Sequence, residues 1–163
     1  LYEVDPVNGL AAPDGRIFIT RGFYNKYKLD EVNAEEIASV IAHELGHIAL
    51  GHTKRRMIDF SSQNAVRAIL GMLLGRIIPV IGNWVATIVA NLLMAKLSRA
   101  DEYEADEFAS ALLNKSGIGT GPQISLFEKL EALSEQTGQL PAWMMSHPKT
   151  EDRITAIKAR NPS

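Results

Sequence analysis

The chain has no cysteine among its 163 residues. That excludes disulfides and thiolate metal sites, so any metal must be held by histidine and carboxylate. It also lacks a basic excess: 17 Lys and Arg stand against 19 Asp and Glu. Neither a nucleic acid nor an anionic membrane surface is implied by charge, and no nucleic-acid partner is expected. There are no internal repeats and no low-complexity segment. A continuous apolar run long enough for a bilayer is missing too. The most apolar region, 65–97, splits into Ala68–Ile81 and Trp84–Leu97, each of about fourteen residues, against the roughly twenty a spanning helix needs. The expectation is a hydrophobic helical insertion, a buried or partner-facing hairpin, with membrane contact through it as the alternative. The chain begins at Leu1 without an initiator methionine or a charged leader. It therefore reads as a fragment of a longer chain, in which an anchor or signal upstream is a further route to a membrane.

What is present is a length suited to a single domain, 1–163, with a sizeable core. Turn signals stand at Asp5-Pro6, Asn8-Gly9 and Pro13-Asp14-Gly15, and between the last of these and Gly22 lies Arg16–Thr20, whose β-branched and aromatic alternation predicts a strand. Asn33 with Glu36 three residues on is a capping-box start for a helix over 34–50, and Gly51 is its stop. The apolar flanks Ile37, Val40, Ile41, Leu45 and Ile48 predict that this helix is buried. A carboxylate-rich helix runs from Ser98 to Lys115. Further helices are expected over 123–136, with Ile124, Phe127, Leu130 and Leu133 inward, and from about Thr150, with Ile154 and Ile157 inward. Trp143–Lys149 reads as irregular. The class is mainly α with a small β-sheet (α+β).

The helix over 34–50 carries His43-Glu44-Leu45-Gly46-His47, an H-E-x-x-H motif. Residues four apart lie one helical turn apart on one face, where two imidazoles converge on a tetrahedral ion. Glu44, on the shoulder of that face, is placed to act as a base toward water rather than as a ligand. Two histidines and a glutamate facing an apolar interior without a metal or partners would carry a large desolvation cost. A catalytic zinc usually takes three protein ligands. The candidates for the third lie in Ser98–Asp106, where Glu102 and Asp106 share a face with the small Ala105 and Ala109. Asp106 suits the carboxylate that accepts the second ring N–H of a metal-bound histidine and so fixes its orientation. Asp101, Glu104 and Glu107 fall elsewhere and are expected to be solvated.

Together, H-E-L-G-H at 43–47, a hydrophobic insertion, and S-R-x-x-E-Y-x-A-D at 98–106 resemble the gluzincin metallopeptidases of the HtpX and CAAX-prenyl-endopeptidase type. Ser146-His147-Pro148 followed by Arg153-Ile154 is similar to the His-Pro element these peptidases carry before their last helix, and Gly51-His52 resembles their envelope-protease branch. The resemblance implies a gluzincin-type domain in which the active-site helix packs on a second, ligand-bearing helix. One zinc ion per subunit would be held by His43, His47 and Glu102, with Asp106 orienting and Glu44 as general base. The short 65–97 insertion departs from members with full transmembrane helices. The implied activity is metalloendopeptidase hydrolysis of unfolded or membrane-derived polypeptide in membrane or envelope protein quality control. The implied location is the membrane or bacterial cell envelope, with a cytoplasmic-facing site left open. A zinc-binding scaffold without catalysis is the alternative, and Glu44 argues against it.

His147 is the candidate oxyanion donor, ahead of Arg153, Tyr103 and Arg99; it could instead fill the open zinc position and hold the enzyme latent, or be a packing histidine. His52 is expected near the site without being a ligand, an extended H-E-x-x-H-x-x-x-x-H being the alternative. Substrate is expected to lie extended along the edge of the strand at 16–20.

Overall fold

The structure, a computed structural model, describes residues 1–12, 14–52, 54–55, 82–147 and 150–161, with backbone alone along 82–98 and at 150. Ile17-Phe18-Ile19 forms β2, and Gly9–Ala11 forms β1, paired antiparallel with Gly9 opposite Ile19 and Ala11 opposite Ile17. The expected strand is present, shorter at both ends. Thr20 leaves it to begin a helix that the turn signals of 1–28 do not announce, α1 (Arg21–Lys28). The buried Thr20 hydroxyl accepts from Phe23 N at 3.3 Å and from Asn8 N at 3.0 Å, so one side chain caps α1 and closes the sheet. Only Phe23 of α1 is buried, and a helix with one core residue leaves almost no apolar period to read.

α2 (Ala34–Ala49) begins with the predicted capping box: Glu36 N donates to Asn33 Oδ1 and Asn33 N to Glu36 Oε2, both at 2.8 Å. It ends where expected, before Gly51 at φ +73. Its burial differs from the expectation. Leu45 is exposed and Ile37, Ile41 and Ile48 are half-buried, whereas His43, Glu44 and His47 are 2–3 % exposed. The most deeply buried stripe of α2 is thus largely polar, and something other than the hydrophobic effect must satisfy it.

α3 (Gly82–Lys115) is one continuous helix of 34 residues, about 51 Å at 1.5 Å per residue. Trp84–Leu97 is its first half, so that part of the insertion is continuous with the carboxylate-bearing helix; Ala68–Ile81 lies outside the described residues. Among the described residues no helix is long and apolar enough to cross a membrane. α2 packs chiefly on α3. The approach is close because the fully buried Ala105 faces Gly46, where a Cβ would sit 3.0 Å from Ala105 Cα and O, and the fully buried Ala109 packs with Ala42. The small residues of the two helices thus set the spacing between the halves of the site.

α4 (Gly121–Thr137), α5 (Ala142–Ser146) and α6 (Thr150–Arg160) complete the chain. α5 corrects the expectation of an irregular segment after Pro141: one short helical turn seats Trp143 and Met144 in the core and ends at His147. The main core gathers Phe23, Val32, Val40, Leu126, Phe127, Leu130, Trp143, Ile154 and Ile157. Phe127, Leu130, Ile154 and Ile157 point inward as expected, while Ile124 and Leu133 are half-buried and Leu126 takes the deeper place.

Candidate active site

Four buried side chains converge from three elements: His43 and His47 on α2, Glu102 on α3 and His147 at the end of α5. His43 Nε2 is 3.0 Å from His47 Nε2, 3.3 Å from His147 Nδ1 and 3.3 Å from Glu102 Oε2. Glu102 lies 2.8 Å from His147 Nδ1 and 3.5 Å from His47 Nε2. A tetrahedral zinc with bonds of about 2.0–2.1 Å requires ligand atoms about 3.3–3.4 Å apart. Three of the five separations lie within about 0.2 Å of that value and two, 2.8 and 3.0 Å, are shorter, with Glu102 using Oε2 toward His43 and His147 and Oε1 toward His47. The donor chemistry agrees. His43 Nδ1 is 2.9 Å from Asp106 Oδ1, a carboxylate that only accepts, so His43 Nδ1 carries the proton and Nε2 presents a bare lone pair. That nitrogen lies 3.0 Å from His47 Nε2 beside a carboxylate, and the cluster has the geometry of a single zinc site.

Glu44 stands beside the cluster without joining it. Its Oε1 is 3.3 Å from His147 Nε2, but in a direction that makes no hydrogen bond, and it is buried without a hydrogen-bond partner among the described residues. Burial pushes its carboxyl up; His147, His43 and His47 outweigh this and hold it below the ordinary value. Glu102 is likewise held down by His147, His43 and His47 against burial. Burial lowers the His47 imidazole, whereas His147 is raised because Glu102 and Glu44 together overcome its desolvation.

Behind His43, Asp106 is pinned by Arg153: Nε reaches Oδ2 at 2.6 Å and Nη2 reaches Oδ1 at 2.8 Å. This bidentate pair outweighs burial and draws the Asp106 carboxyl down to about 2. Arg153 also donates from Nη1 to the His147 carbonyl at 3.0 Å and lies over the Phe127 ring at 4.7 Å, so one guanidinium ties α6 to α3 and to the His147 turn. Arg153, a weaker oxyanion candidate in the sequence, lies beneath Asp106, and the Arg153-Ile154 element is its sequence signal. Tyr103 offers its carbonyl to Arg160, and Arg99 is half-buried one turn before Glu102.

Of the carboxylates expected in solvent, Asp101 is buried, while Glu104 is exposed as expected and engaged by a histidine. Asp101 is 7 % exposed and accepts from Arg55 Nη2 at 2.8 Å; Glu104 accepts from the fully buried His52 at 3.0 Å. They sit one turn apart on the side of α3 that faces the chain leaving α2, a contact invisible to helical spacing. Glu107 is exposed and pairs with Arg160, as a solvated charge should. His147 is no surface histidine, being 5 % exposed within the cluster. His52 lies against His47 and outside the four-donor set, as expected.

The family model that matches this chain is Peptidase family M48, over residues 5–161. The chain belongs to this family. Within M48 it is similar to the metalloproteases YcaL and LoiP of Escherichia coli (strain K12), 32 % and 30 % identical over 160 residues, covering 98 % of this chain and 60 % and 61 % of theirs. It is also similar to the protease HtpX of Pseudomonas paraeruginosa, 27 % identical over 194 residues, covering 97 % of this chain and 63 % of that one. The chain therefore spans about three fifths of the length of these curated relatives. No solved structure matches it significantly. The resemblance carried by H-E-L-G-H and S-R-x-x-E-Y-x-A-D is borne out, as is the packing of the M48 active-site helix on the Glu102 helix.

Proposed function

We propose that this chain is the catalytic domain of a zinc metalloendopeptidase, with His43, His47 and Glu102 as the metal ligands, Asp106 as the carboxylate that orients His43, and Glu44 as general base. The observation that carries the reading is the buried Glu44 Oε1, without a hydrogen bond among the described residues, beside a four-donor set in an M48 chain. Zinc, when bound, supplies Lewis-acid polarisation of the scissile carbonyl and of water. Glu44, ionised by the imidazoles around it, accepts the water's proton at Oε1 and passes it to the leaving amine.

His147 fills the fourth corner. A catalytic zinc keeps that position open, while closed four-donor sets are the mark of structural zinc. We read the arrangement as a latent state: His147 Nδ1 withdraws when substrate enters, and its ring then serves as the oxyanion donor. A permanently closed scaffold is the competing reading, and it leaves a base beside the metal without a task.

Substrate is read as extended polypeptide lying on β1 rather than β2. The far edge of β2 is taken by the N-terminal segment, where Tyr2 N donates to Ile19 O at 2.9 Å and Arg21 N to Tyr2 O at 2.8 Å. On β1, Thr20 N to Asn8 O and Ala12 N to Arg16 O bracket the ladder, so antiparallel alternation turns the main-chain groups of Gly9 and Ala11 away from β2. β1 also lies on α2, with Gly9 against Val40. Unfolded or membrane-derived protein in envelope quality control is the substrate class we favour, on the strength of the likeness to HtpX, YcaL and LoiP, and with it a membrane-associated or envelope location. The test is casein digestion by the full-length protein with and without chelator, beside Glu44→Gln. Chelator-sensitive cleavage that Glu44→Gln abolishes while still retaining one zinc is expected; an active Glu44→Gln variant would sink the assignment.

A further inference from the structure

We propose that His52 is the positioning residue of His47, relaying the hold of Glu104 through two imidazole rings to present His47 Nε2 to the metal. The inference rests on the zinc reading above and follows from donor arithmetic. His52 Nε2 is 3.0 Å from Glu104 Oε2 and 3.8 Å from Asp101 Oδ1. Carboxylates only accept, so His52 donates from Nε2, which in the single-proton tautomer leaves Nδ1 bare. That bare nitrogen is 3.0 Å from His47 Nδ1. His47 must then be the donor, with its proton on Nδ1 and its lone pair on Nε2, which faces His43 Nε2 and Glu102.

The two ligand histidines are therefore oriented by different devices. His43 is backed directly by a buried carboxylate that Arg153 neutralises. His47 is backed by a second imidazole, and its carboxylate stands one ring further out, at a side chain 56 % exposed. The local fold builds this arrangement: Gly51 at φ +73 reverses the chain just past α2, and the next residue returns beneath His47, fully buried with ring centroids 5.2 Å apart. His52, Asp101 and Glu104 could together be read as a second cation site. Arg55, 2.8 Å from Asp101 Oδ1, already brings a positive charge there, and His52 Nδ1 is engaged with His47, so the relay is the better account.

The test measures zinc affinity of the full-length protein by competition with a chromogenic chelator, for wild type, His52→Ala, His52→Gln, Glu104→Ala and His47→Ala. Loss of an outer partner of a metal-bound histidine typically costs about 10–100-fold in affinity. His52→Ala is expected to show that loss. His52→Gln, whose carbonyl oxygen accepts from His47 while its amide donates to Glu104, is expected to recover to within about three-fold. Glu104→Ala, at an exposed position that folding tolerates, is expected to weaken binding by about three-fold or more. Nitrogen-15 imidazole spectra of the zinc-loaded wild type should show a protected His47 Nδ1–H that exchanges with water in His52→Ala. Wild-type affinity in Glu104→Ala or in a cooperatively unfolding His52→Ala overturns the proposal, as does a second zinc equivalent lost with Glu104. A wild type that binds no more zinc than His47→Ala overturns the zinc reading instead.

Discussion

Replacing Arg153 with methionine deletes the guanidinium, which lies over the Phe127 and Trp143 rings, and leaves Asp106 buried with His43 as its remaining partner at the site. The structure sets the scale. Asp106 is drawn from 3.8 to about 2, and at about 1.4 kcal/mol per unit the ionised carboxylate contributes on the order of 2 kcal/mol at neutral pH. Removing one partner of a buried pair also strands the other's charge, which raises the typical loss to about 3–5 kcal/mol. A further ~1 kcal/mol goes with the hydrogen bond to the His147 carbonyl. The sign of the pH dependence follows from the depressed carboxyl. In wild type the Asp106 contribution is complete above about pH 4, its unfolded value, and is lost as pH falls toward 2. Without Arg153, burial dominates and the carboxyl rises, so the acid limb moves upward. Urea unfolding of the chelated protein at half-unit steps from pH 2 to 8 reads both effects. Asp106→Asn combined with Arg153→Met should recover part of the loss, because no charge is then stranded. A variant that loses under ~1 kcal/mol and keeps the wild-type acid limb would refute the reasoning.

Gly46→Val should separate α2 from α3, since even a Cβ meets Ala105 Cα and O at 3.0 Å; overpacking of about 1–3 kcal/mol and a zinc affinity at least ~10-fold weaker are expected, while unchanged affinity by chelator competition would count against close packing as the determinant of ligand spacing. His147→Ala should destabilise the metal-free protein most in mild acid. A raised imidazole contributes fully below its unfolded value near 6.5, and that contribution disappears as pH rises through the folded one, so a stability difference that grows toward pH 9 would contradict the ion pairs with Glu102 and Glu44.

The parts of the site legible in the sequence are those whose geometry is local. The Asn33–Glu36 box, the stop at Gly51 and the His43–His47 face all follow from helical repeat, and all are present. The shared face of Glu102, Ala105, Asp106 and Ala109 is of the same kind. α1 escapes because it buries a single residue, and α5 because five residues hold too little of a helical period. The error at Asp101 has another cause: a charge on a helix is solvated only if nothing lies opposite, and here the chain past the Gly51 turn brings Arg55 opposite it.

By itself the sequence determined a helix that presents two imidazoles and a carboxylate one turn apart, and a second helix slim enough to meet it. Tertiary structure decided which groups close the site from outside: His147 at the fourth corner, Arg153 beneath Asp106, His52 behind His47, and the N-terminal residues on the edge of β2. Each joins segments whose relative placement is set by how α2 crosses α3 and where the chain turns. Side-chain periodicity reports which face of an element is buried, and carries no information about which distant segment will cover it.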